Sequence, residues 1–266
     1  MKWSLGRGLA LLGAGLLGLS CAVPSATAAP TGGERYVALG DSYASGAGAR
    51  TYYPDSGGCN RSPMAYAPVL ANRFGFDLDF VACLAATTRS VLSQQISHLK
   101  ADTRYVTISV VGNDAGFTKV ITQCAKPWPT TCWGDLDAAE KFIRTDLRGR
   151  LDEVYDQIRS RAPRARVVVV GNPRLFMHRT CNLGTRISVG EQDRLNQVAD
   201  ALAENIRYRA QAAGFTFVDV REKFTGHAVC ADEEWINGLS KPIEDSFHPN
   251  ERGYRALTEL VGAVLR

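Results

Sequence analysis

Five short runs of β-forming residues, each set apart by a stretch of helical periodicity, constrain this chain more than any other feature. Residues 35–39, 78–82, 105–111, 166–170 and 215–220 read as strands. The fourth, Arg-Val-Val-Val-Val, is apolar without alternation, as in a strand covered on both faces. A helix is predicted over 62–74, opened by Ser62-Pro63 and ended by Gly75. A second spans 88–99, with Val91, Leu92, Ile96 and Leu99 on one face. A loop holding Cys124, Pro127, Pro129, Cys132 and Trp133 then leads into one long amphipathic helix over 136–161, with Phe142, Leu147, Leu151, Val154 and Ile158 as its core face. Ser188 and Glu191 have capping-box spacing for a helix reaching about Ala213, with Gly214 as its stop. Asn250 caps a last helix through Leu265. This alternation predicts the α/β class: a single three-layer α/β/α domain around a five-stranded, mostly parallel sheet. No repeat, low-complexity run or interdomain linker interrupts it.

The N-terminus belongs to a different segment. Lys2 and Arg7 precede an apolar run from Leu9 to Leu19, and Ala26-Thr27-Ala28 has the small residues of a cleavage site. Residues 1–28 read as a secretory signal peptide, too short and wrongly flanked for a membrane span. Cys21 raises a lipoprotein reading, but Gly18 stands where a lipidation box wants a branched apolar residue. Removing residues 1–28 takes away two basic residues and no acidic ones, so the formal charge falls from +4 to +2. That balance, without a dense basic cluster, argues against nucleic acid. The expectation is a secreted, extracellular domain over 29–266, monomeric and without an integral membrane span.

Without Cys21, six cysteines remain: Cys59, Cys83, Cys124, Cys132, Cys181 and Cys230. An even count in an exported chain argues for three disulfides. Sequence alone leaves the pairing open; chain order is the expectation, giving Cys59–Cys83, Cys124–Cys132 and Cys181–Cys230. No pair has Cys-x-x-Cys spacing and none sits near a suitably spaced histidine, so neither metal nor cofactor is expected.

Right-handed crossovers put the turns after the first three strands on one rim, where open α/β sheets bind ligands. The loops there carry unusual residues. The first strand runs into Gly40-Asp41-Ser42-Tyr43-Ala44-Ser45-Gly46, and the third into Gly112-Asn113-Asp114. The second is followed by Ala82-Cys83-Leu84-Ala85-Ala86-Thr87, and far downstream lies Asp245-Ser246-Phe247-His248-Pro249. A serine hydroxyl is a poor nucleophile at neutral pH, and a histidine within reach can take its proton during attack on an ester carbonyl. A carboxylate three residues before that histidine can hold its other ring nitrogen. The chain contains no Gly-x-Ser-x-Gly elbow, which counts against an α/β-hydrolase.

With Gly40-Asp41-Ser42-Tyr43-Ala44-Ser45-Gly46, Gly112-Asn113-Asp114-Ala115-Gly116-Phe117 and Asp245-Ser246-Phe247-His248-Pro249 in that order, the mature chain resembles the SGNH (GDSL-type) hydrolases, in particular secreted actinomycete lipases and esterases. Its cysteine layout is also similar. The resemblance implies the flavodoxin-like SGNH fold, Ser42 as nucleophile and His248 as general base. It implies an oxyanion hole of the Ser42 N–H, a second-loop N–H falling on Ala85, and the Asn113 side chain. Ala85 departs from the family's glycine, and its methyl is expected to crowd the acyl group or oppose a left-handed backbone. Asp245 is expected to orient His248, although some relatives use a main-chain carbonyl there.

The implied activity is hydrolysis of fatty acyl esters by a secreted serine esterase or lipase, its partner an ester or lipid substrate. Polysaccharide deacetylation and phospholipase A-type cleavage use the same machinery, and Ala85 leaves open a catalytically weak lipid- or carbohydrate-binding protein. Asp41 is expected to bond local backbone and Asp114 to cap a helix. His98, His178 and His227 read as structural, with His227 a candidate to line the site. Tyr52, Tyr53, Trp128, Trp133, Phe176, Met177 and Trp235 fall in loops and are expected to bury disulfides or form an acyl-binding surface.

Overall fold

The computed structural model describes residues 32–127, 129–181 and 187–266, together with 1 and 3. The chain divides into two units, Met1–Thr31 and Gly32–Arg266, and the sheet with its helices belongs to the second. The expected signal peptide, apart from positions 1 and 3, lies outside the described residues, as do Cys21 and Trp128.

In chain order the elements are β1 (Arg35–Gly40), α1 (Ser42–Ser45), α2 (Tyr66–Phe74), β2 (Asp77–Phe80), α3 (Thr88–Ser90), β3 (Tyr105–Ser109), α4 (Phe117–Cys124), α5 (Trp133–Thr145), α6 (Leu147–Arg161), β4 (Arg166–Val170), α7 (Val189–Ala212), β5 (Thr216–Val218) and α8 (Glu251–Leu265). All strand pairings are parallel, and the order is β2-β1-β3-β4-β5. The first crossover runs one way from β1 and every later one runs the other. Helices α2 and α8 therefore cover one face, while α3, α6 and α7 cover the opposite one. The direction reverses between β1 and β3, so the loops leaving these strands open a crevice at the carboxyl edge.

Burial on both faces explains the strand composition. Tyr36 to Leu39 of β1 and Val167 to Val170 of β4 are buried, as the lack of alternation required. Strands end where their partners do. β5 stops at Val218, opposite the last residue of β4, Val170. β2 stops at Phe80 because the Val81 and Ala82 N–H groups both turn to the Ala38 carbonyl.

Helix ends follow local chemistry, and so do the departures from expectation. Gly75 closes α2 at φ 70, Ser188 and Glu191 form the capping box of α7, and Asn250 Oδ1 accepts from the Arg252 and Gly253 N–H groups at α8. α2 starts at Tyr66 rather than Ser62. The Ser62 N–H donates to the Ser45 carbonyl at 2.8 Å and its Oγ accepts from the Met64 N–H, so Ser62 belongs to a turn. The expected single helix over 136–161 is two, broken at Asp146, where Thr145 Oγ1 donates back to the Lys141 carbonyl. The stretch read as a loop contains α4, ends that helix at Cys124 and opens α5 at Trp133. Helical backbone covers 88–98 as expected, but Val91–Gln95 is a π-helical turn.

All three disulfides follow chain order: Cys59–Cys83, Cys124–Cys132 and Cys181–Cys230.

Candidate active site

Ser42 is the first residue of α1, two residues beyond the end of β1. Gly40 makes this turn possible. Its φ is +127°, and a Cβ there would lie 2.2 Å from the Ser109 carbonyl oxygen. The Asp41 N–H donates to that oxygen at 2.8 Å, and Asp41 Oδ1 accepts from the Tyr43 N–H at 3.0 Å. Asp41 thus bonds local backbone, as its sequence context suggested. Burial, with Asp114 nearby, pushes its carboxyl up to about 7. The first N–H of a helix has no acceptor within it, so the Ser42 N–H is available to a ligand.

His248 meets this serine from the other end of the chain. The Ser42 hydroxyl donates to His248 Nε2 at 2.7 Å. That arrangement leaves the ring proton on Nδ1, which faces the Ser246 and Glu244 carbonyls and the charge of Asp245. Burial holds the imidazole down to about 4, outweighing these three raising influences. The His248 ring is therefore uncharged at neutral pH. The Tyr43 hydroxyl donates to the Phe247 carbonyl at 2.8 Å, and its ring lies 5.3 Å from the imidazole.

Asp245 does not hydrogen-bond His248, which corrects the sequence reading of an aspartate holding the ring. The carboxylate is fully buried, and Oδ1 accepts from the Tyr52 hydroxyl. Oδ2 has Arg50 Nε at 3.9 Å but no hydrogen-bond partner, and neither has His248 Nδ1. The carbonyls approach Nδ1 without the alignment of a full hydrogen bond. Tyr52, expected to serve a disulfide or acyl surface, instead also accepts from the Gly48 N–H at 3.0 Å. Burial, and then its bond to Asp245, pushes the Tyr52 phenol up to about 12.

The three residues expected to form the oxyanion hole, Ser42, Ala85 and Asn113, line one cavity with His248. Ala85 adopts φ 61, so its methyl does not forbid the left-handed backbone that the family's glycine would favour. Holding an alanine there costs about 1–2 kcal/mol. Its loop is braced by the Cys59–Cys83 disulfide and by the Leu84 N–H donating to the Cys59 carbonyl at 3.0 Å. Asn113 Nδ2 donates to the Ala86 carbonyl at 3.0 Å, which leaves the second amide hydrogen for a ligand. Val111, a β-branched residue at φ 97, precedes this loop, and Phe247 at φ 60 precedes His248. Backbone strain thus falls on three of the rim loops.

The cavity measures about 550 Å³ and runs from Ser42 between α4, α5 and α7. Val120, Ile121, Leu136, Ile143, Leu195 and Leu202 line its depth. Among the described residues, the loop aromatics expected to form an acyl surface do not line it. Trp235 stacks on His227 at 3.7 Å, and Phe176 packs against Phe247 at 5.9 Å. The aliphatic wall is carried by helices, one of them absent from the sequence reading.

The remaining candidates have structural partners. His98 and His178 meet Asp79 and Asp193, and His227 meets the Glu233 carbonyl, away from the cavity. Asp114 is not itself a cap: it accepts from the Thr88 N–H at 2.9 Å at the start of α3, whose N-cap is Thr87. Cys124, Cys132 and Glu191 crowd together, but the two sulfurs are bonded to each other and offer no thiolate. Sequence reasoning missed Gln95, whose side chain is bonded to Gly40, and Asn237, bonded to Gly48. Neither residue type carried a signal at its position.

Comparison with known proteins converges on one family. The sequence profile of the GDSL-like lipase/acylhydrolase family matches residues 38–256. Lipase 1 of Streptomyces coelicolor is 40% identical over 237 residues, covering 88% of each chain. The crystal structure of phospholipase A1 from Streptomyces albidoflavus NA297 superposes with a TM-score of 0.83 at 37% identity, over 87% of this chain and 99% of that one. The extracellular lipase of Streptomyces rimosus gives 0.82 at 36% identity, over 86% and 99%.

Proposed function

The chain belongs to the GDSL-like lipase/acylhydrolase family and is a carboxylic-ester hydrolase of the lipase/esterase kind, and from that premise we propose that it is secreted and cleaves fatty acyl esters through an acyl-enzyme on Ser42. One observation carries this reading: the Ser42–His248 hydrogen bond at 2.7 Å opens onto an apolar cavity of about 550 Å³. A cavity of that size and lining suits an alkyl chain better than an acetyl group or a sugar. Among the described residues no helix is long and apolar enough to cross a membrane.

The proposed steps use groups that line this cavity. His248 Nε2 takes the Ser42 proton as Oγ attacks the ester carbonyl. The Ser42 and Ala85 N–H groups and Asn113 Nδ2 receive the negative oxygen of the tetrahedral intermediate. The imidazolium then protonates the leaving alkoxide, which departs as the alcohol. A water molecule, deprotonated by the same nitrogen, releases the fatty acid and restores Ser42. The carbonyls of Ser246 and Glu244 and the charge of Asp245 stabilise the imidazolium while it exists.

A nitrophenyl ester series from acetyl to palmitoyl, with a serine-directed phosphonate, tests the reading. Turnover extending to long acyl chains, with labelling at Ser42 abolished in Ser42→Ala, is the expected result. Turnover confined to acetyl esters would favour a deacetylase. Ligand binding without turnover or labelling would favour a binding protein. Ser42→Ala should lose about 10⁴-fold or more in kcat.

A further inference from the structure

The candidate base and nucleophile lie 206 residues apart in sequence, and their 2.7 Å hydrogen bond requires two loops to hold a fixed distance. The loop that carries His248 is itself a paired ribbon. Ile236 bridges Pro249 in antiparallel fashion, the Asn237 N–H donates to the His248 carbonyl at 2.9 Å, and the Phe247 N–H donates to the Asn237 carbonyl at 3.0 Å. These backbone bonds shape the ribbon but do not attach it to Ser42.

The attachment is made by side chains: Tyr43 reaches the Phe247 carbonyl, Tyr52 joins the Gly48 N–H to Asp245, and Asn237 adds a direct latch between the two backbones. Asn237 Nδ2 donates to the Gly48 carbonyl at 2.9 Å and to the Asp245 carbonyl at 3.2 Å. Both partners are carbonyl oxygens, so the amide nitrogen must face them and both of its hydrogens are used. Gly48 lies on the loop that follows Ser42, and it closes onto the ribbon without room for a side chain. A Cβ at Gly48 would lie 2.6 Å from the Pro249 carbonyl oxygen and 2.7 Å from His248 Cβ. One amide thus ties the nucleophile loop to the Asp245 flank of the turn that presents the imidazole. A short apolar side chain would leave the ribbon formed and the tie cut.

We propose that Asn237 is a positioning residue: its carboxamide fixes the separation of His248 from Ser42 by latching the Gly48 loop to the Asp245–His248 turn. The proposal rests on Ser42 and His248 acting as nucleophile and base. Displacing a reacting group by about 1 Å can cost roughly a hundredfold in rate, whereas substrate affinity depends on the cavity, which Asn237 does not line.

The test compares Asn237→Ala and Asn237→Asp with the unaltered enzyme on one soluble ester, at a temperature where near-ultraviolet circular dichroism reports a native fold for all three. Asn237→Asp sets a carboxylate oxygen against two carbonyl oxygens. The expected result is a fall in kcat of about tenfold to a hundredfold with KM within twofold, larger for Asp, and a parallel fall in the rate of phosphonate labelling at Ser42. A role in stability alone would lower the melting temperature and leave both rates intact, and that outcome overturns the proposal. Should Asn237→Ala not fold, Asn237→Ser, which keeps one donor, is measured in the same way; undiminished kcat and labelling there overturn it equally. Absence of labelling in the unaltered enzyme would instead refute the assignment of Ser42.

Discussion

Gln95 and Gly40 pair through two hydrogen bonds across 55 residues of chain: the Gly40 N–H donates to Gln95 Oε1 at 2.8 Å, and Gln95 Nε2 donates to the Gly40 carbonyl at 2.9 Å. The buried carboxamide thereby occupies both backbone groups of the residue that sends the chain from β1 toward Ser42. The π-helical turn Val91–Gln95 places it there.

Gln95→Leu should therefore destabilise the fold and slow the reaction. The Gly40 carbonyl keeps the Cys83 N–H at 3.0 Å, but the Gly40 N–H would be buried without an acceptor, at a cost of about 1–3 kcal/mol. Urea denaturation should read that loss, and kcat should fall with it because the left-handed turn at Gly40 loses a restraint. Gln95→Glu should be worse, since it buries a charge near Asp41 and turns an oxygen toward the Gly40 carbonyl. Unchanged denaturation midpoints in both variants would count against the pairing.

Asp245 and Tyr52 make the second case. The carboxylate is bonded to Tyr52 and not to the imidazole. Asp245→Asn should keep kcat/KM within about tenfold of the parent, because what it removes is a charge near the ring rather than a hydrogen bond to it. Tyr52→Phe should cost about 1–3 kcal/mol of stability by leaving a fully buried carboxylate without its donor. A thousandfold loss of activity in a folded Asp245→Asn would place the aspartate on the ring during turnover.

Proton linkage gives a third expectation, with opposite signs for two residues. His248 is held down to about 4, and its neutral form is the active one, so kcat/KM should persist well below pH 6.5 and fall only near pH 4. Between 6.5 and 4 the unfolded chain binds a proton that the folded chain refuses, so this histidine lowers stability as pH falls through that window. Asp41 does the reverse. Its carboxyl is raised from 3.8 to about 7, so the folded chain holds the extra proton and stability declines as pH rises through that range. Denaturation midpoints against pH should lose the Asp41 component in Asp41→Asn. An activity limb near pH 6.5 would show that water reaches the imidazole.

The strand pattern was legible because burial on both faces leaves no alternation to misread, as Arg166–Val170 shows. Ser42, Asn113 and His248 were legible because each stands in a short motif at a rim loop, and the structure brings all three to one cavity. The partner of Asp245 was not, since spacing to His248 cannot tell a carboxylate that faces the ring from one that faces Tyr52, 193 residues away. Gln95 and Asn237 were illegible for the same reason: they act through long-range bonds to backbone carbonyls and N–H groups, and any polar side chain in a helix or loop looks alike in sequence. Helix α4 escaped because it is only eight residues long: its buried Val120, Ile121 and Cys124 do mark one face, but over too short a stretch to be told from a loop.

Ala85 supplies the last prediction. Its N–H lies on a backbone at φ 61 that glycine would adopt freely, and its methyl shares the cavity with Ser42 and Asn113. Ala85→Gly relieves about 1–2 kcal/mol of left-handed strain but restores about 0.4–1 kcal/mol of unfolded-chain freedom, so stability should change little. The kinetic effect should depend on the acyl group. Removing the methyl enlarges the space beside the oxyanion donors, so kcat/KM should rise for branched or bulky acyl esters and stay within a few-fold for acetyl. Ala85→Val should act in the opposite sense, because a β-branched residue resists that backbone and would withdraw the N–H. The same ester series, run on both variants, reads the outcome: profiles parallel to the parent at every chain length would mean that the methyl does not touch the acyl group.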